Sequence, residues 1–402
     1  QELEDIQQNF STIDAYTTIK SKTRANKYIA LALQSRAMLY AGSIAKYNSL
    51  MSLPITTAGG EVGIPASRAN EYYQKSLDAS KAIIANPNYE LYNPTGGKKG
   101  EHFYNLFMDK SVKEMIFAKD FMTGKVHGFT YDNVPRRFRV DIEGSSILSP
   151  SLSLVESFDY LDGSKGVLKD KDSEGNYIVY DNIEDIFANK DARLYGTIVY
   201  AGSTFRSQPI DIQAGVVTWE DGEYVFKVGD LGSVYPGVGI TFTGSDGPRD
   251  NDQYVSNTGF YIRKFVSETP QDGVRPSLAS NWWPWFRLGE IYLNATEAAF
   301  ELDLPEAKNY INTLREVHGG FPANSIQNLT LEIIQKERRV ELAFEDHRYF
   351  DLKRWRIADQ VWNGQDSDKN AVIHGLYPYR IYRPGHADDG KYIFVRVRPT
   401  RF

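Results

Sequence analysis

The sequence predicts a mainly α protein, a tetratricopeptide-like helical-repeat scaffold that carries a large loop- and hairpin-rich insert. Apolar residues recur at helical spacing near both ends of the 402-residue chain. Between about Tyr89 and Phe265, Gly, Pro, Asn and Asp recur and only short β-type runs appear. With 41% hydrophobic and 24% charged residues, the composition is that of a packed globular core.

Residues 1 to 23 are polar and only weakly periodic. From about Arg24 to Ala45, Ala, Leu, Met and Tyr surround the helical wheel almost completely, the pattern of a buried helix. Ala32, Ser35 and Gly42 are small enough to let a neighbouring helix approach closely. A second helix is expected from about Ala69 to Ala85, with Tyr72, Ser76, Ala79 and Ile83 on one face and Asn86-Pro87 as its stop. Gly59-Gly60 and Pro65 mark the loop between them, so the two helices form an antiparallel pair without the strict tetratricopeptide signature.

Inside the insert, β-type runs fall at Gly196 to Tyr200, Gly215 to Trp219, Tyr224 to Val228 and Gly259 to Phe265, with one short helix at about Ser151 to Phe158. So long an irregular stretch in a compact protein points to a functional region. Helices return where Leu288, Ile291, Tyr292, Ala295, Ala299 and Leu302 draw an apolar stripe. Pro305 starts the next helix and Gly319-Gly320 ends it. Two more are expected, at about Leu331 to Phe344 behind Thr330 as N-cap, and at Arg348 to Trp362. The resulting division is a helical part at 1–88, a ligand-bearing insert at 89–280, and a C-terminal helical part with its tail at 281–402.

Composition excludes several functions. A net charge of −6 and a pI near 5.7 do not suit a phosphate-backbone ligand, so no nucleic acid partner is expected. Local basic runs such as Arg136 to Arg139 sit beside acids and read as solvated or paired. There is no cysteine, hence no disulfide, thiolate metal site or thiol nucleophile. No His-Glu-x-x-His or Gly-x-Ser-x-Gly motif occurs, and Gly237-Val238-Gly239 is half a dinucleotide fingerprint without its helix. No apolar run reaches the roughly 18 to 20 residues that cross a bilayer.

The aromatic content, with 26 Tyr, 21 Phe and 6 Trp, exceeds what a core needs and suits flat ligands such as sugar rings. The candidate glycan-binding residues are Trp219, Tyr224 and Tyr235 in the insert, and Asn281, Trp282 and Trp283 ahead of a scaffold helix. Trp285 and Phe286, nearest that helix, are assigned to the core. Asp170, Asp172 and Glu174 open a D-x-D-x-acid-Gly loop with Asp181 at the twelfth position, an oxygen-ligand spacing that makes Ca2+ possible. A solvated hairpin tip accounts for the same residues. His347, near Glu345, Asp346 and Asp351, is read as scaffold.

The C-terminal helices carry a recognisable pattern. Phe286-Arg287-Leu288-Gly289-Glu290-Ile291-Tyr292 leads a helix that closes on Thr296-Glu297-Ala298. Ile311 to Arg315 follows, then Glu337-Arg338-Arg339-Val340-Glu341-Leu342-Ala343-Phe344-Glu345 and His347 to Trp355. With Asn26 to Tyr40, Tyr72 to Ile84, Glu114 to Ala118, Pro150 to Gly163, Asp191 to Tyr195 and Phe260 to Phe265 in order upstream, the chain resembles the SusD/RagB family of Bacteroidota outer-membrane lipoproteins.

That resemblance implies a helical fold of four tetratricopeptide-like units and a loop-rich half holding a sugar site. It also implies a non-enzymatic protein on the extracellular face of the outer membrane, delivering oligosaccharide to a SusC-like TonB-dependent transporter. The family's lipid-carrying cysteine and first helical repeat have no counterpart here, so an earlier part of roughly one to two hundred residues is expected to be missing. Glu337, Arg338, Arg339 and Glu341 fall within about a turn and a half of helix and read as scaffold ion pairs. A helical adaptor that binds only the transporter and a glycoside hydrolase are the alternatives.

Overall fold

The computed structural model describes residues 2–11, 22–59, 63–139, 146–274, 278–365 and 367–400. The chain forms two compact units, one of residues 1–120 and 282–363, the other of residues 121–281 and 364–402.

Helices build the first unit: Lys27–Ser49, Ala69–Ile84, Leu288–Glu301, Ala307–Leu314, Leu331–Glu341 and Arg348–Arg354. Asn26 starts the long helix because its side chain accepts the Tyr28 and Ile29 amides at 2.9 and 3.1 Å. Small residues then set how closely the next helix packs. The Ser35 and Ser80 hydroxyls meet at 2.9 Å, the Ser76 hydroxyl donates to the Ser35 carbonyl at 2.8 Å, and a Cβ on Gly42 would stand 2.9 Å from the Tyr73 ring. Leu31, Ile83, Ile291, Leu293 and Leu314 share one apolar cluster, and Leu39, Tyr73, Leu77, Ala295 and Ala299 another.

The first boundary of the expected insert moves from 88 to 120 and the second, expected after 280, falls after Asn281, while the tail changes unit. Strand Met115–Lys119 pairs antiparallel with Trp283–Arg287, which ties the chain as far as Asp120 to the helical unit instead of releasing it at residue 88. At the other end, strands Gly375–Ile381 and Tyr392–Val397 join the sheet of the second unit, so the tail does not stay with the C-terminal helices. Those helices are also shorter than their periodicity predicts. Left-handed backbone at Phe344 (φ 62°), Asp346 (φ 62°) and Arg356 (φ 59°) stops one at Glu341 and splits the next after Arg354.

The second unit centres on a four-stranded sheet in the order Tyr392–Val397, Gly375–Ile381, Gly215–Glu220, Glu223–Lys227. The middle pair is parallel, with Tyr379 opposite Gly215, and the outer pairs are antiparallel. Asp221-Gly222, both at positive φ (49° and 91°), close a two-residue hairpin whose twist suits the flanking strands. Two expected strands shrink. Gly196 lies in the helical turn Arg193–Thr197 and only Ile198–Val199 is extended, paired with Tyr261–Ile262.

The interior of the helical unit is charged as well as apolar. Arg287 donates to Glu345 from Nε and Nη2, each at 2.8 Å, to Glu341 at 2.6 Å and to Glu114 at 3.0 Å. His318 bridges the same two carboxylates, Glu341 at 2.9 Å and Glu114 at 3.0 Å. A second knot joins Arg338 to Asp351 at 2.9 Å, and Arg354 to Asp351 at 2.8 Å and to Glu297, which also accepts the Trp355 indole N–H at 2.8 Å. The Glu337–Glu341 pattern finds partners elsewhere in the fold rather than within its own helix: Glu337 pairs with Arg315, Arg338 with Asp351, Glu341 with Arg287. Burial disfavours every one of these charges, and only mutual pairing makes them tolerable.

Two expectations follow. Asp351→Asn removes the charge that two buried arginines share, and should lower the unfolding free energy by about 3–5 kcal/mol in urea titration. Burial opposes the charge on His318, but Glu341 and Glu114 outweigh it and raise its pKa from 6.5 to about 9. The folded state therefore holds a proton that the unfolded chain releases above 6.5. This stabilisation is complete below pH 6.5 and is lost as pH rises through about 9. His318→Gln should flatten that limb of the stability profile.

Candidate functional site

The predicted hairpin does present a tryptophan. Trp219 lies opposite Tyr224 across the Asp221-Gly222 turn, their rings edge to face at 4.9 Å. The Arg383 guanidinium covers the indole, 4.6 Å from its centroid, and the side chain remains 41% exposed. Tyr224 donates its hydroxyl to Asp388 at 3.3 Å, and Arg383 reaches the same carboxylate oxygen at 3.3 Å. Burial and the Asp388 charge raise the Tyr224 pKa, so its phenol stays protonated and keeps donating. Tyr177 packs edgewise on Tyr224 and Phe226, and Phe226 on Tyr379.

Tyr235 sits on a neighbouring loop, in a different set of contacts. It contacts Phe242 at 4.9 Å and Tyr382 at 5.4 Å, and Tyr382 precedes Arg383 in the chain. Trp219 and Tyr224 therefore share one aromatic group of the second unit, whereas Tyr235, with Phe242 and Tyr382, belongs to another, beside Lys227 on the opposite face of the hairpin. Arg383, Asp388 and Tyr177 complete the Trp219 group, although sequence alone did not single them out. Arg383 and Asp388 are brought there by the parallel pairing of Gly375–Ile381 with Gly215–Glu220, which leaves no local signal. What the Trp219 group offers is one indole that stays exposed although a guanidinium covers it from one face and a phenol ring meets it edgewise.

The Asn281 cluster behaves differently. Asn281 closes the second unit, its amide donating to the Phe265 carbonyl at 3.2 Å and its own carbonyl bonded to His127 at 3.0 Å. Trp282 belongs to the first unit, where only 3% of it is exposed and the Lys22 ammonium lies 5.0 Å from its ring. It therefore has no face to offer a sugar, and its assignment as a ligand residue is corrected. Trp283 is half-buried in the strand Trp283–Arg287. Along that strand successive side chains point to opposite sides. Phe286 is accordingly buried under Arg36 while Trp285, assigned to the core, is 49% exposed.

The acidic loop is also reassigned. Asp170 accepts Arg396 Nε at 2.7 Å, Asp181 pairs with Lys391 at 2.7 Å, and Asp172 accepts the amides of Glu174 and Asn176 at 2.9 Å each. A calcium ion would have to displace these cations, since the acids serve separate partners. Among the described residues, the metal-capable group whose atoms do converge is Glu114, His318 and Glu341. Both imidazole nitrogens there already face carboxylates and Arg287 shares them, which makes an ion-pair knot of it. His347 is buried, and burial lowers its pKa to about 4, so it is neutral.

A protein-family model described as the SusD family matches residues 113–399. The chain belongs to the SusD family. SusD-like protein P2 of Formosa agariphila is 31% identical over 122 residues, which are 27% of this chain and 23% of that protein. Among solved structures, a SusD-like protein from Bacteroides fragilis superposes with a TM-score of 0.62 at 21% identity, covering 99% of this chain and 65% of its own. A SusD-like carbohydrate binding protein from the same species gives 0.60 at 20% identity, with 99% and 66% covered. The chain thus spans about two thirds of the length of these structures. They establish the helical SusD-like fold, and the SusD match includes Arg287, Glu341 and the rest of the buried charge pattern.

Because Arg396 and Lys391 already pair with Asp170 and Asp181, millimolar Ca2+ should leave the melting temperature of this SusD protein unchanged, as should EDTA. A calcium-dependent rise would restore the loop as a metal site.

Proposed function

We propose that this SusD-family protein captures oligosaccharide on the open face of Trp219 and breaks no bond. The single observation behind this reading is an indole that is 41% exposed yet held by neighbours on its edge and one face. A large apolar ring kept in water by a rigid surround marks a binding surface more often than a fold requirement. The C–H face of a sugar fits such a ring, and Arg383, stacked on the other face, holds the indole in place. Preorganisation lowers the ordering cost of binding, while a single platform limits affinity to the micromolar-to-millimolar range.

The family supports the wider setting. A SusD relative described as carbohydrate binding shares the fold. In this reading the helices act as tetratricopeptide-like units, and the whole protein is an outer-membrane lipoprotein on the cell surface. It hands sugar to a SusC-like TonB-dependent transporter. No helix of the described residues is long and apolar enough to cross a membrane, and the reading places attachment on a lipid anchor in the full-length protein.

Calorimetry against a panel of neutral plant-wall, starch and host-type oligosaccharides tests the site. Trp219→Ala should weaken the sugar that binds by about tenfold or more, the value of losing one stacked ring, while leaving the melting temperature within error. Unchanged affinity would remove Trp219 from the site, and binding of no sugar at all would favour an adaptor that recognises only the transporter. Release of shorter products from the bound sugar would contradict a capture role.

A further inference from the structure

The helical unit carries a second aromatic surface, unrelated to the Trp219 hairpin. Tyr349, Phe350 and Trp362 are each about half exposed. Tyr349 stacks on Trp362 at 6.0 Å and an interplanar angle of 26°, and meets Phe350 edgewise at 5.3 Å. Phe350 also walls a cleft of about 410 Å3 with Tyr40, Ile44 and Ile64, and the rest of its lining is cationic: Lys353, Arg354 and Arg356.

The three cations are not equivalent. The Arg354 guanidinium is spent inside the protein on Glu297 and Asp351. Lys353 contacts only the Tyr349 hydroxyl, at 3.3 Å, and the face of that ring, and no described carboxylate pairs with it. Arg356 makes no side-chain hydrogen bond or ion pair with a described residue, although its Nε is buried. A buried guanidinium nitrogen without an acceptor costs free energy that the fold does not recover internally. The turn that carries Arg356 is fixed by two backbone bonds, Arg356 N–H to Lys353 at 3.2 Å and Ile357 N–H to Leu352 at 3.0 Å.

We propose that this cleft is a separate binding site for an acidic sugar residue, a uronate or a sulfate ester. Apolar and aromatic walls accept the ring. Arg356 supplies the fork that a carboxylate or sulfate needs, and Lys353 adds a second positive charge at the mouth. The cleft is roomy enough for one or two sugar residues, and Lys353 and Arg356 carry no counter-charge of their own among the described residues. A neutral sugar would leave the Arg356 charge unanswered, so the site discriminates by charge. The inference extends the reading of the protein as a glycan binder, but it uses different residues on a different unit.

Calorimetry with tetragalacturonate, its fully methyl-esterified counterpart and a sulfated galactan tetramer separates the possibilities. Tetragalacturonate should bind, and removing its charges by esterification should weaken binding by about tenfold or more, the value of a hydrogen-bonded charge. Binding of the sulfated tetramer with the same dependence on Arg356 would widen the site to sulfate esters, whereas its failure would restrict it to uronates. Arg356→Gln and Phe350→Leu should each weaken the acid by a similar factor while circular dichroism melts stay unchanged, and neither should alter neutral-sugar binding that depends on Trp219. Equal binding of acid and ester, or acid binding indifferent to Arg356, overturns the proposal and leaves the Trp219 site standing. Conversely, acid binding that needs Arg356 in a protein whose neutral-sugar affinity ignores Trp219 would keep the cleft and discard the hairpin site. If no acidic sugar binds and Phe350→Leu changes only self-association, the surface is a protein contact and the proposal fails.

Discussion

Arg287 ends a strand inside the helical unit with its guanidinium almost wholly out of water and three carboxylates around it. Those carboxylates come from segments far apart in sequence, Glu114 from beside the strand that pairs with it, Glu341 and Glu345 from near the end of a later helix. His318 adds a second positive charge between two of them. Any register slip or helix rotation would strand at least one of these charges without a partner, at a cost of several kcal/mol. An apolar core tolerates such slippage far better, because hydrophobic contact has no direction. The charged interior therefore specifies how the strand and helices of this unit fit together, while apolar clusters supply the driving force.

The Arg338–Asp351–Arg354–Glu297 knot repeats the same device one helix further on. It explains why a dense Arg-Glu pattern can look like chemistry and still be structure. His347, seated among these charges, is pushed towards neutrality by burial, the opposite of His318, whose two carboxylates win over desolvation. Two histidines on neighbouring segments thus differ in charge near neutral pH for reasons visible in their surroundings.

Much of the helical unit was legible because its apolar stripes obey a single period, and the cap Thr330 stands where local rules put it, although the cap Asn26 was not singled out. Helix ends were less legible. Left-handed backbone at Phe344 and Arg356 is imposed by tertiary packing, and neither residue type announces it. The two strands beside Asp221-Gly222 were readable as β-type runs, and their register then sets Trp219 against Tyr224. Arg383 and Asp388 were not, since a parallel pairing across more than 150 positions brings them there. Trp282, Trp283 and Trp285 show the limit of composition: alternation along one strand decides which indole meets water, and a one-residue error reverses the answer.

The sharpest test of carbohydrate capture is a crystal structure of the protein soaked with the oligosaccharide that calorimetry selects. An intact sugar lying flat on the face of Trp219 that Arg383 leaves uncovered is the predicted result. A sugar seated elsewhere with that indole bare, or a ligand found with its glycosidic bond cut, would contradict it.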